Sequence, residues 1–490
     1  MSDLRAHPNV VLIVTDQECA PLHWPERFVR ERLGSRSRLL RHGVSFENAV
    51  CNTAMCSPSR ATFLTGLMPA QHGVSDTLTT DGPISPTETE LSRDIPNLAS
   101  MLRTAGYEVH YRGKWHLSKG VEGGFDATAE DLASYGFDGW VPPDAGGDTS
   151  PPNFGGGRAD HDASYIAQAE SFLRERAVDA DGTPFCLVIS LVNPHDVLAF
   201  PREWTDDYTP DWLAGDVELP PSFDEHLAAN SKPTAHPMMG AVIDRAVGQL
   251  DTLEQRLQYV NFYANLVARI DRQIAPIIDC FYGPDDQPTK LGEETLIVRF
   301  SDHGELAMAH GGLRQKAFNV YEETLRVPLI FSNPRLIPVG RSCPHPASLL
   351  DIMPTLASLL AVDPLPGLRG TDLGPLVRDP EAAPVQDEVL FTFDDMHAGT
   401  GLVPAVLPGA PGHIRCARER RFKYARYFDA EGNHPTEYEM YDLDADPSEL
   451  ENLAHPNHPR YADPDVSSER DRLAAKLASA EEKLARPTVT

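Results

Sequence analysis

The sequence predicts an α/β fold, with a large mixed, mostly parallel central sheet flanked by helices and a small C-terminal α+β subdomain. Three observations predict it. Val10 to Val14, Phe185 to Val192 and Thr295 to Phe300 are continuous apolar runs, the pattern of strands buried on both faces. Helical periodicities separate them, such as Leu98, Met101, Leu102 and Ala105 at i, i+3, i+4 and i+7. Past a polar, Pro-rich stretch at Pro380 to Gln386, the pattern changes to alternation in Phe422 to Tyr427 and ends in a charged amphipathic helix from about Asp465 to Leu484. At 490 residues the chain is too long for one small core. A boundary at the Pro-rich stretch gives a large α/β domain over 1–385 and a C-terminal subdomain over 386–490.

Composition narrows the function. Lys and Arg total 43 against 72 Asp and Glu, a formal net charge of −29, which argues against a nucleic-acid or anionic-membrane partner. An anionic substrate must then be drawn by a local cationic cluster. No apolar run is long enough to span a bilayer. The N-terminal apolar run is short, lacks a small-residue cleavage site, and reads as a first strand and not as a signal peptide. Seven scattered cysteines, at 19, 51, 56, 186, 280, 343 and 416, point to a reducing, cytoplasmic setting and not to a disulfide framework.

Taken in order, the first strand ends in Thr15-Asp16-Gln17, oxygen donors where open α/β sheets place their ligands. In Cys56-Ser57-Pro58-Ser59-Arg60, Pro58 suits the first turn of a helix and Ser57 its cap. Cys56 is thereby expected at a helix start, where free N–H groups and the dipole favour an anion or a nucleophile that attacks one. Asp94 is expected to cap the next helix, with Pro96 in its first turn and Gly106 ending it. The strand Tyr107 to Tyr111 then delivers Gly113-Lys114-Trp115-His116-Leu117, with Lys114 and His116 on one side of the chain. Residues Gly123 to Gly157, rich in Gly, Pro and Asp, read as a loop region over the site.

A helix from about Ala163 to Arg176 leads to the strand that ends in Asn193-Pro194-His195-Asp196. Asp196 to about Met239 reads as an irregular, substrate-contacting insert. A long helix, roughly Val242 to Phe281 with a break, buries Leu266, Ile270, Ile274 and Ile277. The strand Thr295 to Phe300 ends in Ser301-Asp302-His303-Gly304-Glu305. His310-Gly311, Lys316 and Tyr321 to Pro328 follow, then a strand at Leu329 to Phe331 and a helix from Asp351 that closes the main sheet. Three strand ends thus bring Asp16-Gln17, His195 and Asp302-His303 to one sheet edge, with oxygen and nitrogen donors for a divalent cation.

The stretch from Cys56 to Arg60, with its Thr65-Gly66 ending, resembles the sulfatase signature C-x-P-x-R. The resemblance continues in Gln71 to Val74, in G-K-W-H-L at 113–117, in the D-H-G and H-G segments, in Lys316, in the E-x-x-x-R-V-P-L run and in the C-terminal subdomain. On these motifs the sequence is identified as a member of the sulfatase family of the alkaline phosphatase superfamily, which implies an alkaline phosphatase-like fold. The resemblance implies that a formylglycine-generating maturation enzyme oxidises Cys56 to Cα-formylglycine. It implies one divalent metal ion held by Asp16, Gln17, Asp302 and His303, with the modified Cys56 supplying another oxygen. Gln17 stands where the commonest sulfatases have Asp, and His303 where they often have Asn. This pairing is similar to phosphonate monoester hydrolases and choline sulfatases, and leaves Ca2+ and Mn2+ as alternatives.

The family pattern gives the remaining positions roles. Arg60 holds the formylglycine diol, Lys114 and Lys316 bind the sulfonate oxygens, His195 or Lys316 protonates the leaving oxygen, and His116 takes the proton that releases sulfate. The implied activity is hydrolysis of a small or aryl sulfate monoester through a metal-bound diol and a sulfated hemiacetal. Phosphonate monoester or phosphodiester hydrolysis with the same nucleophile is the alternative, and a non-catalytic binding protein on the same fold is the third. Lys114 favours the sulfatase reading, because phosphonate enzymes typically lack the G-K-W-H-L lysine.

Overall fold

Strand β1 (Asn9–Asp16) lies inside the main sheet with every residue buried. The computed structural model describes residues 7–79, 84–120, 127–145, 155–157, 159–178, 182–206, 208–283, 285–398 and 410–485. The other strands of this sheet are β2 (Gly43–Val50), β3 (Glu108–Gly113), β4 (Phe185–Pro194), β5 (Thr295–Ser301), β6 (Leu329–Ser332) and β7 (Arg341–Ser348). Their order is β3-β4-β1-β5-β6-β2-β7. Strands β3, β4, β1 and β5 run parallel, as do β2 and β7, while β6 is antiparallel to both its neighbours. The mixed, mostly parallel sheet expected from the apolar runs is therefore present.

The apolar runs fill two layers at once. Val10, Leu12 and Val14 of β1 pack on one face with Phe63, Leu64, Leu98 and Leu102. Val11 and Ile13 pack on the other with Ile166, Leu173, Ile270, Ile274 and Ile277. A strand between two helical layers has no polar face to show, which is why its pattern is continuous and not alternating.

Several helices differ from the sequence expectation. The helix after Pro96 spans Leu98–Thr104 and is capped by Asn97, whose side-chain oxygen accepts from the N–H groups of Ala99 and Ser100. Asp94 is exposed and caps nothing, since Pro96 holds the chain before it out of helical geometry. The long helix expected over Val242 to Phe281 is three helices: Ala235–Val247, Leu253–Gln273 and Ala275–Phe281. Gly248 at φ 103° ends the first, Thr252 caps the second through the Gln255 N–H, and Pro276 opens the third. Leu266 packs beneath the 196–217 insert with Phe200 and Tyr208, and only Ile270, Ile274 and Ile277 face the sheet. Of the loop expected over Gly123 to Gly157, the described part contains a helix at Ala129–Ser134, and 123–126 and 146–154 lie outside the described residues.

A second sheet is antiparallel, in the order β11-β10-β9-β8, from β8 (Glu388–Phe393), β9 (His413–Glu419), β10 (Phe422–Phe428) and β11 (Glu437–Asp442). The helix Pro464–Ala485 covers it, with Leu473 and Leu477 against Ala417, Tyr424 and Met440. Buried ion pairs bind this sheet to the short helix Glu322–Leu325. Glu322 accepts from Arg418 at 2.7 Å and from Lys423 at 3.1 Å. Burial opposes charge on Glu322, but Arg418 and then Lys423 outweigh it and hold the carboxyl well below its usual range.

Candidate active site

Four parallel strands deliver the site to one sheet edge. Thr15 pairs with Ser301, and the Asp302 N–H donates to the Thr15 carbonyl at 3.1 Å, so Asp16-Gln17 and Asp302-His303 leave the sheet side by side. Strand β4 ends at Pro194, directly before His195, and β3 ends at Gly113, directly before Lys114. Gly113 sits at φ 98°, and a Cβ there would collide with the Ser190 carbonyl, to which the Lys114 N–H donates at 2.9 Å.

The helix Cys56–Thr65 is entirely buried, and Cys56 is its first residue. Met55, at φ 84°, precedes it without a side-chain cap, and Ser57 lies inside the first turn, its Oγ accepting from the Leu78 N–H at 3.0 Å. The helix starts two residues before Pro58, so the predicted Ser57 cap is displaced while Cys56 stays at the helix start. Phe63 packs edge-on against Phe300 of β5, with ring centroids 5.0 Å apart, and the Ser59 hydroxyl donates to the Asp302 carbonyl at 2.5 Å. Gly66 ends the helix at φ 68°, where a Cβ would strike Leu368.

Around Cys56 the side chains form one buried cluster. Its Sγ lies 3.5 Å from Asp16 Oδ1 and 3.4 Å from His303 Nε2. His303 Nε2 is 3.7 Å from one oxygen each of Asp16 and Asp302. Cations surround these groups. Arg60 donates to Asp16 at 3.0 Å and pairs with Asp302 at 3.1 Å, while its other nitrogen donates to Ser190 Oγ at 2.6 Å and to the Lys114 carbonyl at 3.0 Å. Lys114 Nζ donates to Asp16 Oδ2 at 2.7 Å, and Lys316 Nζ to Gln17 Oε1 at 2.5 Å.

The electrostatics follow from burial and this crowd of charge. Burial opposes ionisation of Asp16, but Lys114, His195, Arg60 and His303 together hold it well below the usual carboxylate range. Asp302 is pushed up to about 6, by burial first and by Asp16 second. Burial and the Asp16 charge raise the Cys56 thiol, yet Lys114, Lys316 and His303 outweigh them and hold it well below the ordinary thiol value. Burial, then Lys114, lowers His195.

The sulfatase family model matches residues 8–362, well over half of the chain. The chain belongs to the sulfatase family. It is a sulfuric ester hydrolase by class, within the alkaline phosphatase superfamily. A second model, the C-terminal region of N-sulphoglucosamine sulphohydrolase, matches residues 310–482. A delta 4,5-hexuronate-2-O-sulfatase from Bacteroides thetaiotaomicron is 26% identical over 426 residues, 86% of this chain and 78% of that protein. A choline-sulfatase from Rhizobium meliloti is 26% identical over 474 residues, 91% of this chain and 82% of that one. The solved phosphonate monoester hydrolase of Agrobacterium radiobacter superposes with a TM-score of 0.69 at 22% identity, covering 98% of this chain and 97% of the other, a likeness of fold.

A sulfatase site implies a metal, and the donor set fits one. Ligand atoms of Asp16, Cys56, Asp302 and His303 all lie within 4.8 Å of one another, and all four residues are buried. Asp302 Oδ2 is buried, meets only the Arg60 guanidinium at 3.1 Å among the described residues, and makes no hydrogen bond of good geometry there. Carboxylate oxygens and one imidazole nitrogen suit a hard-to-borderline divalent cation. The Cys56 sulfur is the fourth donor of this set. Gln17 joins this edge through its backbone N–H, which donates to Asp302 Oδ1 at 3.1 Å, and through its side-chain oxygen on Lys316.

His116 is buried in the turn after Lys114. Its Nε2 bonds the Leu78 carbonyl at 2.7 Å, so Nε2 carries the proton, and its buried Nδ1 makes no hydrogen bond among the described residues. The Asp144 carboxylate accepts from the backbone N–H groups of Trp115 and His116, each at 2.7 Å, and fixes this turn. Asp144 and Ser190 went unread in the sequence. Ser190 had one signal, a hydroxyl inside the apolar run Phe185 to Val192, and Asp144 had none within its Pro- and Gly-rich surroundings.

Proposed function

We propose that this sulfatase hydrolyses small or aryl sulfate monoesters to an alcohol and inorganic sulfate, with residue 56 as a formylglycine nucleophile. One observation carries the proposal: Cys56 opens a buried helix with its sulfur within 3.5 Å of Asp16 and His303. The relatives named for hexuronate and choline sulfates support small alkyl and sugar sulfates as substrates alongside aryl ones. A divalent ion, Ca2+ or Mn2+, on Asp16, Gln17, residue 56, Asp302 and His303 would supply Lewis-acid activation of a residue-56 hydroxyl.

The chain's own residues do the rest. Arg60, tied to Asp16, Asp302 and Ser190, orients residue 56 from the same helix, one turn on. One hydroxyl of the formylglycine hydrate loses its proton to solvent, and its oxygen bonds to sulfur as the bond from sulfur to the alcohol oxygen breaks. Lys114 and Lys316 hold the sulfonate oxygens while charge grows on the leaving oxygen. That oxygen takes its proton from His195 or Lys316, and pH–rate profiles of His195→Ala and Lys316→Ala separate the two. His116 Nδ1 then takes the proton of the second hydroxyl, sulfate departs, and the aldehyde re-forms for rehydration. A single hydroxyl or thiol could not perform this release.

The test is a Cys56→Ala variant beside wild type carrying formylglycine verified by peptide mass. The variant should fold and show no turnover of an aryl sulfate; activity in it, free of wild-type contamination, overturns the mechanism. Phosphonate monoester hydrolysis is the second reading, favoured by Gln17 and His303 as donors. A catalytic domain over 1–385 with a subdomain over 386–490 is supported by the separate sheet that begins at Glu388. A cytoplasmic setting is supported by the odd number and scattered placement of the seven cysteines. No described helix is long and apolar enough to cross a membrane.

A further inference from the structure

Gln17 has two chemically different side-chain ends, and its neighbours decide which end faces the site. Its Nε2 donates to Glu305 Oε2 at 2.5 Å and to Gln315 Oε1 at 3.1 Å, while its Oε1 accepts from Lys316 Nζ at 2.5 Å. A carboxylate only accepts and an ammonium only donates, so a flipped amide would set oxygen against oxygen and nitrogen against nitrogen. Glu305 is itself fixed and fully buried. Its Oε1 accepts from the Tyr259 hydroxyl at 2.8 Å, the Gln315 N–H at 2.8 Å and the Ala307 N–H at 3.1 Å. Tyr259 is buried on the helix Leu253–Gln273, and its hydroxyl takes a further, longer bond of 3.4 Å from Gln315 Nε2. The chain of bonds therefore ties residue 17 to a rigid element outside the cluster.

We infer that Glu305 is a positioning residue: with Gln315 and Tyr259 it clamps the Gln17 carboxamide so that the oxygen, and not the nitrogen, is offered to the divalent cation. The inference rests on the metal centre proposed above and deepens it. It also gives a physical reason for glutamine at 17. An aspartate there would set a second carboxylate against Glu305 in a buried site, where two like charges cannot both be sustained cheaply. Gln17 and Glu305 thus form a matched donor–acceptor pair, and exchanging one member calls for exchanging the other.

The test is calorimetric titration of metal-stripped, full-length protein with Mn2+, and separately with Ca2+, with near-ultraviolet circular dichroism to check the fold. Glu305→Gln sets an amide donor against the Gln17 amide and should weaken Mn2+ binding by about 10–100-fold, the usual cost of losing an outer-shell partner. Gln17→Glu, which sets a second carboxylate of the same length against Glu305, should weaken it as well. The double variant Gln17→Glu with Glu305→Gln should recover most of the loss, because the pair is isosteric with wild type and the new amide at 305 can donate to the new carboxylate. Tyr259→Phe, which keeps the ring and removes one donor to Glu305, should give a smaller loss of the same kind. Wild-type Mn2+ affinity in folded Glu305→Gln or in Tyr259→Phe overturns the clamp, and so does a double variant no tighter than either single one. Asp302→Ala separates the two readings. It should abolish Mn2+ binding, and if it binds Mn2+ like wild type, the metal centre itself is misplaced.

Discussion

Replacing Lys114 by methionine isolates the cation that contacts Asp16 and, in the proposed reaction, the sulfonate oxygens. The ammonium is fully buried and 2.7 Å from Asp16 Oδ2, a gross attraction of about 6 kcal/mol at an effective dielectric of ~20, most of which offsets the cost of burying it. Breaking a buried pair usually costs about 3–5 kcal/mol. Here Arg60 keeps its own bond to Asp16 at 3.0 Å, so the loss of stability should lie near the lower end. The kinetic loss is separate. A preorganised donor to oxygens that gain charge only in the transition state contributes about 2.7–4 kcal/mol, or ~10²–10³ in kcat. The assay is steady-state hydrolysis of an aryl sulfate by Lys114→Met with formylglycine verified at position 56, beside a thermal melt on the same sample. The drop should fall on kcat, with KM changed far less. A folded variant with wild-type kcat would refute the assignment of Lys114 to the transferring group.

Other outcomes follow from the same structure. His72 donates from Nε2 to Thr62, accepts the Val74 N–H at Nδ1, and is pushed down to about 3 by burial, from an ordinary value of 6.5. The unfolded chain therefore binds a proton that the native state refuses, so this contribution to stability is full above pH 6.5 and is lost as pH falls toward 3. The slope is about 1.4 kcal/mol per pH unit for this one site. Urea unfolding across that range should show a shallower slope in His72→Gln than in wild type, and equal slopes would contradict the role. Gly66→Ala should destabilise the protein by roughly 1–3 kcal/mol, because φ 68° disfavours an L side chain and a methyl would strike Leu368. An unchanged denaturation midpoint would count against the close approach of those two segments.

Much of this molecule was legible because its signals are local. A strand between two helical layers must be apolar throughout, so β1, β4 and β5 stood out, and each ended where a polar cluster began. Cys56, Arg60 and Lys114 could be read because the chain packs them into short motifs. The helix boundaries were less legible, since Ser57 and Asn97 compete with nearby residues for cap positions, and tertiary contacts decide: Ser57 Oγ takes the Leu78 N–H instead. Pro276 and Gly248, which divide the long helix, carry ordinary helix-breaking signals, but their effect depends on where the pieces dock. Least legible were the residues that hold others in place. Asp144, Ser190 and the clamp of Glu305 on Gln17 act across separations of 28 to 288 residues, which no sequence periodicity records.

One measurement tests the central claim most directly. On a single preparation with formylglycine at position 56 verified by peptide mass, kcat/KM is compared for an aryl sulfate and an aryl phosphonate monoester sharing one leaving group. The account expects a ratio that strongly favours the sulfate, with Lys114 and Lys316 set for a sulfonate. A ratio favouring the phosphonate would contradict it, and would make the Asp16-Gln17 and Asp302-His303 donor set the better guide to the reaction.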